Sequence, residues 1–422
     1  MIGSVRSAFA IAASLCCLSS VTPASAVDAA AAIAEPTGVR NVVFVVADDL
    51  NLDIACYGHP QVRTPHLDRL AARGVRFSRA YCNVPLCNPS RAAFLSGRRT
   101  SGKRALPEHW LPNFFAARGF LTVQAGKVSH GYGASHDATR WEVDVQGIDE
   151  AVAKLREKHD RLLFLAVGLS NTHGGTYYDR KFRDLYPAEK IVLPEEPADV
   201  VADVPAIALR KVGRRDTTPA ERREHLTEYY SRVSTVDAYV GRLMEVLDKE
   251  SLWDSTVFVF TSDHGKHTGD HGGLYDKRSL FEKSVQIPLI VAAPGVQPGV
   301  SPRTVELIDV YPTLLDLCGL AHPPGLEGHG LAPLLAQPDE AWPHPAITAS
   351  PMVPGAVTMR TERHRFTRWG KQGPYELYDH EADPQEHKNL APDPQSAELI
   401  SQLEAQLDAA LRKPAGTGAK KP

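Results

Sequence analysis

Asn41-Val42-Val43-Phe44-Val45-Val46-Ala47-Asp48-Asp49-Leu50 decides how the rest of the chain is read. After Asn41 come six apolar residues, most of them β-branched, with no polar interruption. A strand with one wet face would alternate, whereas one buried on both faces of a parallel sheet runs apolar throughout. Two carboxylates close the run. Open α/β sheets take their ligands at the carboxyl ends of the strands, so Asp48 and Asp49 stand where chemistry is expected. Two adjacent acids there favour a cation site over a helix cap.

The same texture recurs at Leu162–Leu169 and at Ser255–Phe260, the latter again running into acid at Thr261-Ser262-Asp263-His264-Gly265. Between the strands lie helical signals. Thr64 is placed as an N-cap with Pro65 in the first turn and Gly74 closing the helix in the left-handed conformation. A helix and strand are expected around Leu111–Val123, and Tyr229–Leu247 places Val233, Val236, Val240, Leu243 and Leu247 on one helical face. The Pro- and acid-rich stretch Leu193–Ala206 reads as a surface loop. Pro288–Ala293 and Val305–Leu317 continue the α/β alternation. After Gly330 the texture changes: short strands at Ala356–Met359 and His364–Trp369, a helix at Ala397–Leu411, and a basic, frayed tail, AGTGAKKP.

The whole chain has 422 residues, 47 Lys plus Arg against 50 Asp plus Glu, and a net charge of -3. Hydrophobic residues at 43% and charged residues at 23% exclude wholesale disorder and a fibrous repeat. The absent basic excess argues against a nucleic-acid partner, though a few focused cations could still hold a small anion. Arg6, the apolar run Ala8–Leu18 and Ala24-Ser25-Ala26 form the three-part pattern of a signal peptide, residues 1–26. No later segment is apolar for long enough to span a bilayer. An exported product, periplasmic or secreted, is expected. Export would leave Cys56, Cys82, Cys87 and Cys318, too few for a disulfide framework.

Cys87-Asn88-Pro89-Ser90-Arg91, continued by Ala92–Arg98, resembles the C-x-P-S-R core of the type I sulfatases. The resemblance runs over essentially the whole chain beyond residue 26, in the family's order. Asp48-Asp49 is followed by C-x-P-S-R, Gly126-Lys127-Val128-Ser129-His130-Gly131, His173, and Thr261–Gly265. Gly269-Asp270-His271-Gly272 and Lys277 come next, and Glu376–Asp379, Asp383-Pro384 and Asn389-Leu390 mark the family's C-terminal part. Within the family the motifs are most similar to the iduronate-2-sulfatase branch, but the segment after Arg99 is shorter, so iduronate specificity does not carry over. The resemblance implies an alkaline-phosphatase-like α/β fold: a large mixed, mostly parallel sheet flanked by helices, with a small C-terminal antiparallel-sheet subdomain. The expected division is residues 27–335 for the catalytic unit and 336–422 for the C-terminal unit with its flexible tail.

Sulfate-ester hydrolysis needs the charge around sulfur neutralised before a nucleophile can approach, which a divalent cation and cationic side chains provide. By resemblance, Cys87 is oxidised to Cα-formylglycine by a maturation enzyme, and its hydrated gem-diol attacks sulfur, then collapses to release sulfate. Asp48, Asp49, Asp263, His264 and the converted Cys87 would hold the metal. Calcium is the first expectation and magnesium the alternative, since the imidazole of His264 stands where many relatives have Asn. Arg91 would hold formylglycine, Lys127 and Lys277 would bind sulfate oxygens, His130 would be the base for the collapse and His173 the acid for the leaving oxygen. His267, Asp270 and His271 are expected to support their loop rather than hold zinc. The expected substrate is a sulfated carbohydrate. The rival readings are a phosphodiesterase or phosphonate monoester hydrolase on the same scaffold, and a silent glycan-binding homologue.

Overall fold

The computed structural model describes Met1 and residues 38–99, 105–131, 133–371 and 373–412. The expected signal peptide and the basic tail lie outside the described residues. The main sheet has eight strands, in the order Gly299–Glu306, Val75–Tyr81, Gln286–Ala292, Thr256–Ser262, Asn41–Ala47, Leu163–Leu169, Leu121–Gly126 and Val143–Val145. Asn41–Ala47 lies inside it, paired in parallel with Leu163–Leu169 on one side and Thr256–Ser262 on the other. Burial on both faces explains why all three read as unbroken apolar runs.

The mixed, mostly parallel architecture and the small antiparallel sheet are as expected. Gln286–Ala292 is the one strand of the large sheet antiparallel to both its neighbours, so the alternation read at Pro288–Ala293 does not continue as a parallel unit. The reason is topological. The chain leaves Thr256–Ser262 at the carboxyl edge and builds its loops there without crossing back, so the next strand must start from that edge.

Gly74 is also corrected. The helix Pro65–Ala71 ends at Ala72, and Gly74 is not among the residues of positive φ. A Cβ there would sit 2.2 Å from Val291 O, so this glycine serves a close approach of strand backbones. Thr64 is the N-cap residue, but its hydroxyl accepts from Ala55 N at 3.0 Å instead of capping its own helix. Asp237 takes that role, accepting from His66 N at 3.0 Å and Leu67 N at 2.8 Å.

The helix read at Tyr229–Leu247 spans Pro219–Lys249 and opens with a capping box between Thr218 and Glu221. Its buried face packs on one side of the sheet, while the Cys87–Ser96 helix packs on the other. The C-terminal sheet orders Ala346–Ala349, Val357–Arg360, His364–Arg368 and Tyr375–Asp379, all antiparallel, and the helix Ala397–Leu411 covers it.

Arg365, fully buried, joins this small sheet to the rest. Its Nε pairs with Glu386, itself fully buried, and a terminal nitrogen donates to Leu280 O at 2.8 Å. The rings of Phe281 and Tyr378 lie 5.1 and 4.5 Å from its guanidinium carbon. Arg365→Met should strand the Glu386 charge in the interior and cost about 3–5 kcal/mol of stability. Urea denaturation measures it, and a loss within error of zero would show that the pair is dispensable.

Candidate active site

Five parallel strands deliver the site. Asn41–Ala47 ends in Asp48 and Asp49, Thr256–Ser262 in Asp263 and His264, Leu163–Leu169 leads to His173, Leu121–Gly126 to Lys127 and His130, and Val75–Tyr81 to Cys87. All these groups therefore meet at one edge of the sheet, as doubly wound folds arrange their ligand sites. Gly168 lets the Lys127 segment come close: a Cβ on it would lie 1.9 Å from Lys127 O.

Cys87 opens the ten-residue helix Cys87–Ser96 after the N-cap Leu86. Its Sγ lies 3.3 Å from Asp48 Oδ1, 3.3 Å from His264 Nε2 and 3.1 Å from Lys277 Nζ. One ligand atom each from Asp48, Cys87, Asp263 and His264 falls within 4.8 Å of the others. A second such group joins Asp49, Cys87 and His173.

Arg91 has no exposed surface, and its Nε donates to Asp263 Oδ2 at 2.9 Å. Its Nη1 donates to both Val128 O, at 2.9 Å, and Lys127 O. Lys127 Nζ lies 2.5 Å from Asp48 Oδ2, and Lys277 Nζ lies 2.5 Å from Asp49 Oδ1. Hydroxyls fix the acid-bearing backbone: Ser90 Oγ donates to Asp263 O at 2.5 Å and Thr172 Oγ1 to Asp48 O at 2.6 Å. Asp49 adopts φ 64°, a left-handed conformation that a side chain tolerates only when its surroundings impose it. Tyr229 helps impose it, donating its hydroxyl to Asp49 O at 3.1 Å and accepting from Asn51 N at 3.2 Å.

The charges answer to this crowding. Burial would raise Asp48, but Arg91 and Lys127 hold it well below the usual carboxylate range. Burial opposes Asp49 in the same way, and His264, Lys277 and Lys266 bring it down. Asp263 is pushed up by burial, with Asp48 and Asp49 adding to the effect. Burial and the nearby Lys127 and Arg91 hold His130 below the ordinary imidazole range.

The donor set fits a hard divalent cation. Three carboxylates converge beyond what the surrounding cations relieve at Asp263, and His264 is oriented as a ligand. Its Nδ1 donates to Gly265 O at 3.0 Å, a carbonyl that can only accept, which leaves Nε2 facing the cluster as the atom a metal would take.

His173 is half-buried, its Nδ1 donating to Gly174 O at 2.9 Å. Its loop is pinned by Arg232, which donates to Asn171 O at 2.8 Å and to Thr176 O at 2.9 Å. His267, Asp270 and His271 form their own buried group, with His267 Nε2 2.6 Å from Ser279 Oγ and His271 Nδ1 3.1 Å from Asp270 Oδ2.

The structure thus brings together every residue singled out in the sequence for this chemistry. Sequence reasoning missed Lys266, Tyr229, Thr172 and Arg232. Lys266 directly follows the Thr261–Gly265 motif, and that adjacency was the one available signal.

The sulfatase family model matches residues 40–320, most of the chain, and the model for the N-sulphoglucosamine sulphohydrolase C-terminal region matches residues 269–413. The chain belongs to the sulfatase family and is a sulfuric ester hydrolase by class. Human iduronate 2-sulfatase is 28% identical, over 68% of this chain and 70% of its own length. An ulvan-active sulfatase of Formosa agariphila is 28% identical, over 89% of this chain and 82% of its own. Among solved structures, the phosphonate monoester hydrolase of Agrobacterium radiobacter superposes with a TM-score of 0.75 at 20% identity, covering 88% of this chain and 95% of that one, which is a likeness of fold.

Burial, then Asp263 and Asp48, push the unmodified Cys87 thiol up to about 12. Folding therefore withholds the thiolate until the pH nears that value, whereas an unfolded cysteine ionises near about 8.5. At pH 8, unconverted, chelator-treated protein should be alkylated by iodoacetamide at Cys87 at least about tenfold more slowly than the urea-unfolded chain. Equal rates by peptide mass spectrometry would contradict the electrostatics described.

Proposed function

We propose that this chain is an exported sulfatase that removes O-sulfate groups from a sulfated carbohydrate, using formylglycine at position 87 and one divalent cation, calcium or magnesium. The observation that carries the reading is the setting of Cys87 Sγ, within 3.3 Å of Asp48, His264 and Lys277 at the start of a helix. The relatives named for iduronate and ulvan support a carbohydrate substrate. The leader-like residues 1–26 support export.

The hydrated formyl group supplies one hydroxyl to attack sulfur and a second through which sulfate is expelled as the aldehyde returns. The cation would be held by Asp48, Asp49, Asp263, His264 and the oxygen at position 87, and it supplies positive charge against sulfate oxygens. Asp263 Oδ1, which also accepts from Asp49 N at 3.2 Å, would take the proton of the attacking hydroxyl, because Arg91 engages the other oxygen. Lys127 and Lys277 present their ammonium groups to the sulfate oxygens. The first turn of the Cys87–Ser96 helix adds its backbone amides and dipole at the same point. His173 hands a proton to the departing sugar oxygen, and His130, its pKa held down, takes one from the second hydroxyl during collapse.

Parallel initial rates on matched aryl sulfate and aryl phosphonate esters test the class of substrate. Faster phosphonate cleavage would transfer the reading to the phosphonate hydrolases, whose fold the chain shares.

Cys87→Ser should retain the fold and stall after at most one sulfation, since serine lacks the second hydroxyl. Repeated turnover at near wild-type rate would end the formylglycine mechanism, as would wild-type activity with no aldehyde detectable in the Cys87 peptide.

His173→Ala should lose roughly 10²–10⁴-fold in kcat on a sulfated sugar, the usual scale of general-acid help, and far less on nitrophenyl sulfate. A nitrophenol leaves without the proton and a sugar alkoxide does not. Equal losses on both substrates would reassign His173 to sulfate binding.

A further inference from the structure

The three metal-facing carboxylates share a construction. In each, one oxygen is tied to a cationic side chain set back from the cluster, and the other lies on the side of Cys87 and His264. Asp48 Oδ2 is held by Lys127 at 2.5 Å, while its Oδ1 lies 3.3 Å from Cys87 Sγ. Asp263 Oδ2 is held by Arg91 through two nitrogens, each at 2.9 Å, while its Oδ1 lies 3.6 Å from His264 Nε2. Asp49 Oδ2 is held by Lys266 at 3.4 Å, while its Oδ1 lies on the centre's side, 3.5 Å from His264 Nε2 and paired at 2.5 Å with Lys277, which also reaches Cys87 Sγ.

Arg91, Lys127 and Lys277 have roles in the proposed chemistry. Lys266 has none. It is 4% exposed, too deep for a solvated surface lysine, and it is anchored a second time by Thr172 O at 3.3 Å. The ring of Tyr229, which also holds the Asp49 carbonyl, lies 5.7 Å from its ammonium. A lysine so confined keeps Asp49 Oδ2 turned away from the cluster.

We infer that Lys266 is a positioning residue that limits Asp49 to one metal-facing oxygen and thereby holds down the site's preference for calcium over magnesium. The inference rests on the metal site proposed above. Calcium accepts six to eight oxygens and commonly takes carboxylates through both, whereas magnesium demands a compact octahedron of single oxygens. Three carboxylates giving one oxygen each, with His264 and the group at position 87, suit the smaller number. Freeing Asp49 Oδ2 would add a ligand that calcium can use and magnesium cannot.

The test is calorimetric titration of the chelator-treated full chain with CaCl₂ and with MgCl₂, comparing wild type, Lys266→Met and Lys266→Arg. Methionine fills the same space without a donor, and the Ca²⁺-to-Mg²⁺ affinity ratio should rise about tenfold, at the low end of what residues behind metal ligands control. Arginine retains charge and donor and should keep the wild-type ratio. Both affinities moving together in Lys266→Met, upward from a lost charge or downward from a loosened loop, would overturn the inference, because denticity alone changes the ratio. Should Lys266→Met fail to fold, Lys266→Ser, which also cannot reach Asp49, gives the same comparison. Wild-type protein that binds neither cation would be a different failure, that of the metal site itself.

Discussion

Three carboxylates buried at one point are the constraint on which this structure depends. An ionised group taken out of water costs several kcal/mol unless it is paired, and Asp48, Asp49 and Asp263 also repel one another. The chain answers with Arg91, Lys127, Lys266 and Lys277, brought in from three separate segments. Each pairing fixes a segment as well as a charge. Arg91 binds Asp263 on one strand end and the carbonyls of Lys127 and Val128 on another, so the Cys87 helix and two strand ends become one unit. The same acids that could hold a cation thus set the positions of the groups that would surround sulfate.

The C-terminal sheet takes part in this arrangement through Lys277. That lysine stands at the end of the short strand Leu274–Asp276, three residues before Leu280, whose carbonyl accepts from Arg365 of the small sheet. Glu386 accepts from Glu282 N at 2.8 Å in the same place. A buried charge pair in the small sheet therefore braces the stretch that aims Lys277 at Asp49. The small sheet can be read as a brace for one wall of the site, beyond any contribution to solubility or substrate contact.

Legibility in the sequence followed the range of the interaction. Asn41–Ala47, Leu163–Leu169 and Thr256–Ser262 were plain because burial on two faces leaves an uninterrupted apolar run. The acids at their ends were plain because the carboxyl edge is where such sheets work. The helix at Tyr229–Leu247 was found only over its apolar stripe. Its first turns, Pro-Ala-Glu-Arg-Arg-Glu-His, carry no stripe, and the capping box that starts them is a local signal that was passed over. Gly74 was misjudged because a glycine after a helix looks like a left-handed cap, while the backbone it admits is 217 residues away in Val291. Lys266 could not be assigned for the same reason, since Asp49 lies as far off in the chain.

The setting of position 87 also explains why a thiol there is a poor nucleophile and why the proposed mechanism calls for a cation beside it. Two opposing fields meet at this atom. The start of the helix favours negative charge, and the surrounding carboxylates disfavour it. Burial, reinforced by the carboxylates, wins, since the thiol is raised despite Lys277 at 3.1 Å. A hydroxyl in the same place is intrinsically far less acidic than a thiol and would ionise less still. In the mechanism proposed here, a nucleophile of that kind becomes usable only when positive charge is added among the same carboxylates that oppose it. In that mechanism, the geometry that keeps Cys87 inert is the geometry that would make its oxidised successor depend on a metal.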